Sequence, residues 1–367
     1  MGLDEEIAKA RAEIRTDEYS MSIGEWLSIY EKGELDVHPE FQRFFRWTPR
    51  QKSRLIESIL LGIPIPQVFV AQRSDGIWDV VDGLQRLSTI YQFAGLLRDE
   101  DGTLLKPLQL EQTEYLPSLA GRVWDDEDKP DISLSVAQRL AIKRSKIGVS
   151  IILKESDDSA KHELFQRLNT GGSQLSDQEV RNSIVVMLNK GLYQWMHRLS
   201  EDTNFQECVG LSDRAVDEQY DMELVLRFLV FRQRRESDLK NLGDLGEFLT
   251  KAATELANSS TFDQVKEEDA FRNTFALLKQ SLSSDSFRRW DKQRKRFVGG
   301  FSVSSYEVIA LGVGYNYEGL QADPSQIAEK AKTIWSDAEF TGNSGSGITA
   351  SRRIPKTVPY GRRLFEP

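Results

Sequence analysis

The 367-residue sequence holds a single cysteine, Cys208, and three histidines, His38, His162 and His197, that lie far apart. A lone thiol excludes an internal disulfide and any cysteine-rich zinc site. The histidines have no HExxH or other ligand spacing, so a metal held by His and Cys is not expected. No GxxxxGK[ST] run occurs, which excludes a P-loop NTPase. Long apolar runs are missing too. The most hydrophobic region, residues 55–71, is broken by Glu57, Gln67 and two prolines and is unfit to span a bilayer. The first residues are polar and charged, so no signal peptide and no membrane partner are expected, and the cytoplasm is the expected compartment. A surplus of cations is also lacking: the net charge is −9, which argues against a protein that coats nucleic acid over its whole surface. A local basic face remains open.

What is present is ordinary globular composition, 39% hydrophobic and 29% charged, at a length that allows two or more domains. Residues 1–19 read as a charged, solvent-facing helix. Ser22 and Glu25 form a capping box that opens a helix with Ile23, Trp26, Leu27 and Tyr30 on one face, ended by Gly33. Thr48, Pro49 and Gln51 open a second helix whose buried stripe is Leu55, Ile56, Ile59 and Leu60, with Gly62 as its C-terminal stop. The period then changes. Residues 67–71 and 77–81 alternate as strands around Ser74-Asp75-Gly76, which predicts a hairpin, followed at once by Asp82-Gly83 and a helix carrying Leu87, Ile90, Tyr91 and Ala94. Residues 99–131 read as an excursion, 135–145 as a helix and 147–153 as a buried strand. A helix through Leu164, Phe165 and Leu168 is expected to stop at Gly171-Gly172, and a capping box at Ser176 and Glu179 starts the next. From there to residue 336 the period is helical almost throughout. Residues 342–347 read as a flexible connection to a basic tail.

Three segments stand out chemically. In Asp82-Gly83-Leu84-Gln85-Arg86, a helix N-terminus offers unpaired amides and the positive end of the helix dipole to an anion. Gly83 permits close backbone approach, Arg86 can grip a phosphate, Asp82 can hold magnesium and Gln85 can orient a water. The same residues also allow a plainer arrangement, in which Asp82 caps the helix and Arg86 pairs with a surface carboxylate. Gln42-Arg43-Phe44-Phe45-Arg46-Trp47 reads either as a pocket wall that stacks a base and adds Arg43 to the phosphates, or as a hydrophobic plug. Phe165 to Gly172, with Asn169, Gly171 and Gly172, and then Glu179, Arg181 and Asn182, reads either as a ligand-facing turn or as mutual helix caps.

Together these segments resemble the N-terminal domain family of GmrSD restriction endonucleases. Its signature segments stand here in order as QRFFRW (42–47), LIESILLGIPIP (55–66), VDGLQRLSTI (81–90) and FQRLNTGGSQLSDQEVRN (165–182). The resemblance covers roughly residues 20–190, and the tail is similar to stand-alone members. It implies an α+β chain: a charged segment over 1–19, a ParB/sulfiredoxin-like nucleotide-binding domain over 20–155, a helical region over 156–340 that completes the site, and a connection and tail over 341–367. It also implies nucleoside triphosphate binding, hydrolysis in some members, and a place in restriction and anti-phage systems. Asp82 and Gln85 are the implied catalytic positions. Gln42, Arg43, Gly83, Arg86, Asn169, Gly171, Gly172 and Arg181 are the implied nucleotide contacts, with magnesium at Asp82.

This sequence departs from the family pattern at Leu84, where a glutamine is usual. If that glutamine serves turnover, hydrolysis here is slow or absent, which favours a nucleotide-dependent switch. The HNH nuclease domain found in modification-dependent members needs closely spaced histidines, and none follow His197. DNA cleavage of that type is therefore expected from a separate nuclease subunit. A ParB-like nuclease acting alone is the third reading, disfavoured by the lack of a compact acidic or histidine cluster. Finally, Arg288, Arg289, Lys292, Arg294, Lys295 and Arg296 interleave with Phe287, Trp290 and Phe297. This run reads as a nucleic-acid contact or as a solvated helix face with its aromatics turned inward.

Overall fold

The computed structural model describes residues 2, 15–37, 47–99, 101–154, 176–320, 323–345 and 347–367. Two compact units divide the chain, Met1–Gln174 and Leu175–Pro367.

The first unit is built on a mixed five-stranded sheet in the order β1-β5-β3-β4-β2. The strands are β1 (Thr16–Ser22), β2 (Leu35–Asp36), β3 (Val68–Gln72), β4 (Trp78–Asp82) and β5 (Lys146–Ile152). β3 and β4 are the expected hairpin, antiparallel, with a register shift between Phe69 and Val70. Gly76 takes φ 89° in its turn, and Asp75 accepts the Ile77 amide at 3.0 Å. β5 runs parallel to β3 and antiparallel to β1. The helix expected over residues 1–19 is corrected for 16–19, which are strand. Thr16 pairs with Ile152 and Ser22 with Lys146, a tertiary pairing that overrides the local charged pattern.

Four helices pack with this sheet: α1 (Ile23–Glu31), α2 (Pro49–Leu60), α3 (Leu84–Phe93) and α4 (Val136–Arg144). The capping boxes at Ser22–Glu25 and Thr48–Gln51 both form, and a third at Ser135–Gln138 starts α4. Trp26, Ile56, Val68, Val70, Leu87, Tyr91, Ile147 and Val149 meet in one core, where each fully buried large apolar side chain stabilises by roughly 1.5–3 kcal/mol. Tyr30 stacks on Tyr91 with ring centroids 4.2 Å apart. The excursion after residue 99 is tied down from α2. Glu57 is 5% exposed, and one of its oxygens accepts the amides of Tyr115 and Leu116, both at 2.9 Å.

The second unit is mostly helical. Its principal helices are α5 (Asp177–Leu188), α6 (Lys190–Ser200), α7 (Tyr220–Phe231), α8 (Leu245–Asn258), α9 (Gln264–Ser281), α10 (Val303–Asn316), α11 (Pro324–Thr333) and α12 (Ala350–Leu364). The Ser176–Glu179 capping box opens α5 as expected.

One expectation is corrected here. The basic run at 288–296 is not helical but an antiparallel hairpin, β6 (Arg289–Asp291) and β7 (Arg296–Val298). The basic tail is the helix α12, which carries Pro355 and Pro359 inside it. Packing on α10 compensates for the missing amides. Gly361 lies so close to Val308 and Gly312 that a side chain on either glycine would strike backbone, and Ile354 and Val358 are fully buried.

Candidate functional site

β4 delivers Asp82 to the edge of the core and stops. Gly83 then turns the chain at φ 100°, ψ 8°, a left-handed conformation that costs other residues about 1–2 kcal/mol. α3 begins at Leu84, and no side chain caps its N-terminus. Asp82 therefore does not act as the helix cap. The first-turn amides point out of the helix end with its positive dipole, the local arrangement that favours an anion. Gly83 itself faces inward: a Cβ there would stand 2.8 Å from Val68 Cγ2. Its need for glycine thus comes from packing on β3 as well as from its φ.

Arg86 holds this turn together. Its Nη2 donates to Asp82 Oδ2 at 2.7 Å, and its Nη1 donates to the carbonyls of Pro66 and, at 3.0 Å, Gln67. The guanidinium side chain is 12% exposed, whereas the Asp82 carboxylate is 33% exposed. One fork thus links the end of β4 to the residues that lead into β3. The pairing is with Asp82 one helical turn back, rather than with a remote surface carboxylate. Both Nη1 protons are used by the two carbonyls, while Nε–H and one Nη2 proton lie outside these three bonds. Gln85 is half-buried, and its carbonyl accepts the Thr89 hydroxyl at 2.7 Å. Leu84 packs partly buried against the sheet core.

Asp82, Gly83, Gln85 and Arg86 are thus brought together on one turn. Gln42 and Arg43, and Asn169, Gly171 and Gly172, lie outside the described residues. Arg181 is on α5 in the second unit, 2% exposed. Its Nε donates to Gln178 Oε1 at 2.8 Å, and its Nη2 pairs with Glu223. Glu223 also holds Arg227 at 2.6 Å. Beyond Arg227, Glu307 grips Arg353 through two bonds of 2.9 Å and accepts the Thr357 hydroxyl at 2.9 Å. Burial lowers the Arg181 guanidinium's proton affinity, against the opposing charges of Glu223 and Asp177. This ionic chain across α5, α7, α10 and α12 has no local spacing that announces it, because its members come from four separate helices.

Among the described residues no group of three or more His, Cys, Asp or Glu is placed to hold a metal. The turn offers one carboxylate, Asp82. That fits magnesium carried in on phosphate oxygens, which needs only one or two protein carboxylates.

A cavity of about 530 Å³ elsewhere in the first unit is lined by Leu60, Leu119, Asp125, Asp126, Glu127 and Arg139, among others. Its lining sets three carboxylates, Asp125, Asp126 and Glu127, against Arg122 and Arg139, and Arg139 is already paired with Asp125, so the net negative lining disfavours phosphate. The turn, not the cavity, is the candidate anion site.

Fold and turn define a class: an α+β protein with a strand–glycine–helix turn suited to an anion, joined to a helical unit. Residues 23–186 match the family model described as GmrSD restriction endonuclease, N-terminal domain, and the likeness drawn from the four motifs holds over that stretch. Over that stretch the chain is similar to a domain of restriction endonucleases, which points to a restriction- or defence-related protein. The match runs past residue 174, so the family domain takes in α5 of the second unit. No curated protein and no solved structure matches the chain. Among the described residues, no helix is long and apolar enough to cross a membrane.

Proposed function

We propose that the chain is a cytoplasmic, nucleotide-binding regulatory component of a restriction or anti-phage system, acting with a separate nuclease subunit. The observation that carries this reading is the uncapped N-terminus of α3 beside the Asp82–Arg86 pair. Phosphates of a nucleoside triphosphate would sit on the amides of Leu84 and Gln85, with Arg86 turning its remaining N–H groups toward them. Asp82 would then exchange its guanidinium partner for the magnesium that the phosphates carry. The exchange keeps every charge paired, which is why both members of the pair belong to the site.

Bound nucleotide can be hydrolysed or can act as a switch, and two observations favour the switch. Leu84 has no hydrogen-bonding atom with which to place a water and is packed against the core. Arg86 also holds the carbonyls of Pro66 and Gln67, so a phosphate that pulls on the guanidinium pulls on the start of β3 as well.

Calorimetric titration with ATP and GTP, with and without magnesium, tests the assignment. Arg86→Ala should weaken binding by roughly 1.5–3 kcal/mol, about ten- to a hundredfold. Affinity unchanged by that substitution for every triphosphate that binds sinks the site.

A further inference from the structure

The hairpin β6–β7 lies outside the family-matched residues and plays no part in the function proposed above. Residues 288–298 carry six cations and one carboxylate in a chain whose net charge is −9. The strand period sorts them. Trp290 pairs with Phe297 across the ladder, and their rings meet edge to face at 5.0 Å. The Lys332 ammonium of α11 covers the Trp290 ring at 5.1 Å. The aromatic face is therefore turned onto the protein. Arg289 and Arg296, one residue off in each strand, project from the opposite face and are exposed.

The tip adds exposed Lys292, Arg294 and Lys295. Asp291, on the same face as Arg289 and opposite Arg296, offsets only part of this charge. It accepts the amides of Gln293 and Arg294 at 2.9 and 3.0 Å to shape the turn, and it lies 3.7 Å from Arg294. Arg288 pairs with Asp285 at 3.2 Å. Among the described residues, the side chains of Arg289, Lys292, Lys295 and Arg296 form no salt bridge.

We infer that this hairpin is a docking ribbon for the backbone of duplex DNA. Two exposed arginines on the outer face and two exposed lysines at the tip, none in a salt bridge among the described residues, make a local positive patch that suits a polyanion, and a two-stranded antiparallel ribbon is of a width that enters the major groove of B-form DNA. The aromatics decide against single strands, which need open rings on which bases stack. Double-stranded RNA is disfavoured because its major groove is too narrow and deep to admit a ribbon.

The test uses the full-length protein and a fluorescein-labelled DNA duplex, read by anisotropy across about 50 to 200 mM salt. Each phosphate contact contributes about −0.9 to the slope of log affinity against log salt, so four contacts make binding fall about a hundredfold over that range. The variant Arg289→Gln/Lys292→Gln/Lys295→Gln/Arg296→Gln should lose that slope, while the control Lys240→Gln/Lys251→Gln, changed at exposed lysines elsewhere, should retain it. These substitutions are all on exposed side chains, and circular dichroism checks that the variants fold. The inference is overturned if the unmodified protein shows no salt-dependent binding, if the hairpin variant binds as the unmodified protein does, or if the control loses as much. Tighter capture of a single strand or of an RNA duplex overturns the choice of duplex DNA.

Discussion

Replacing Gly83 by alanine probes the turn at its tightest point. Two separable costs arise. An L-residue at φ 100° is strained by about 1–2 kcal/mol. The added Cβ would also stand 2.8 Å from Val68 Cγ2, and Val68 is fully buried in the sheet with little room to retreat. Overpacking of that kind adds roughly 1–3 kcal/mol, so Gly83→Ala should destabilise the first unit by about 2–5 kcal/mol. The double variant with Val68→Ala separates the terms. With the opposing methyl gone, Gly83→Ala should cost less, chiefly the backbone strain of about 1–2 kcal/mol, although Arg86 Nη2 and the Cβ of residue 68 still lie 3.2 and 3.3 Å from the added carbon. Hydrogen exchange of the α3 amides, starting with Leu87, whose amide bonds the Gly83 carbonyl at 2.9 Å, reads local opening without requiring the two units to unfold together. A loss below about 0.5 kcal/mol, the scale of an ordinary surface change, or an identical loss with and without the Val68 methyls, refutes this account of the turn.

Glu57→Ala should cost roughly 1.5–3 kcal/mol, because it removes the charged acceptor of the Tyr115 and Leu116 amides, whereas Glu57→Gln keeps an acceptor and should cost less; thermal melts rank the two. Burial pushes the Glu57 carboxyl up, but the Thr113 hydroxyl and those two amides outweigh it and hold the carboxyl below the usual glutamate value. Its stabilising contribution is therefore complete above about pH 4.3 and is lost as pH falls through the lowered value, so Glu57→Gln should flatten the acid side of the stability profile. Leu84→Gln should raise nucleotide hydrolysis with affinity nearly unchanged, since Arg86 and the α3 amides still hold the phosphates; phosphate release that does not rise shows that Leu84 serves packing alone.

Much of the first unit was legible because its signals are local. The capping boxes at Ser22, Thr48 and Ser176 lie within four residues of sequence, and the hairpin turn at Ser74-Asp75-Gly76 carries its own chemistry. The Ser135–Gln138 box follows the same grammar and could have been read. β1 could not, because its strand state depends on pairing with β5 more than a hundred residues later. The site was legible as a strand–glycine–helix turn, but the partners of Arg86 were not. Two are backbone carbonyls, at Pro66 and Gln67, brought near only by the sheet. In the second unit, the alternation of Trp290 and Phe297 with arginines was a strand signal masked by a basic run that also fits a helix face. No glycine or asparagine marked that turn, where Lys295 itself takes φ 49°. The two prolines of α12 disfavour a helix, and its close glycine contacts with α10, together with the bonds of Arg353 and Thr357 to Glu307, offset that cost.

The central claim is that phosphates bind the first turn of α3, and residue-resolved hydrogen exchange of the amides of Leu84, Gln85 and Arg86 tests it most directly. With no side-chain cap, these amides should exchange fast in the free protein and slow on addition of a magnesium–nucleoside triphosphate, with slowing also at the start of β3 through Arg86. Saturating nucleotide that protects other amides while leaving Leu84, Gln85 and Arg86 unchanged would contradict the account.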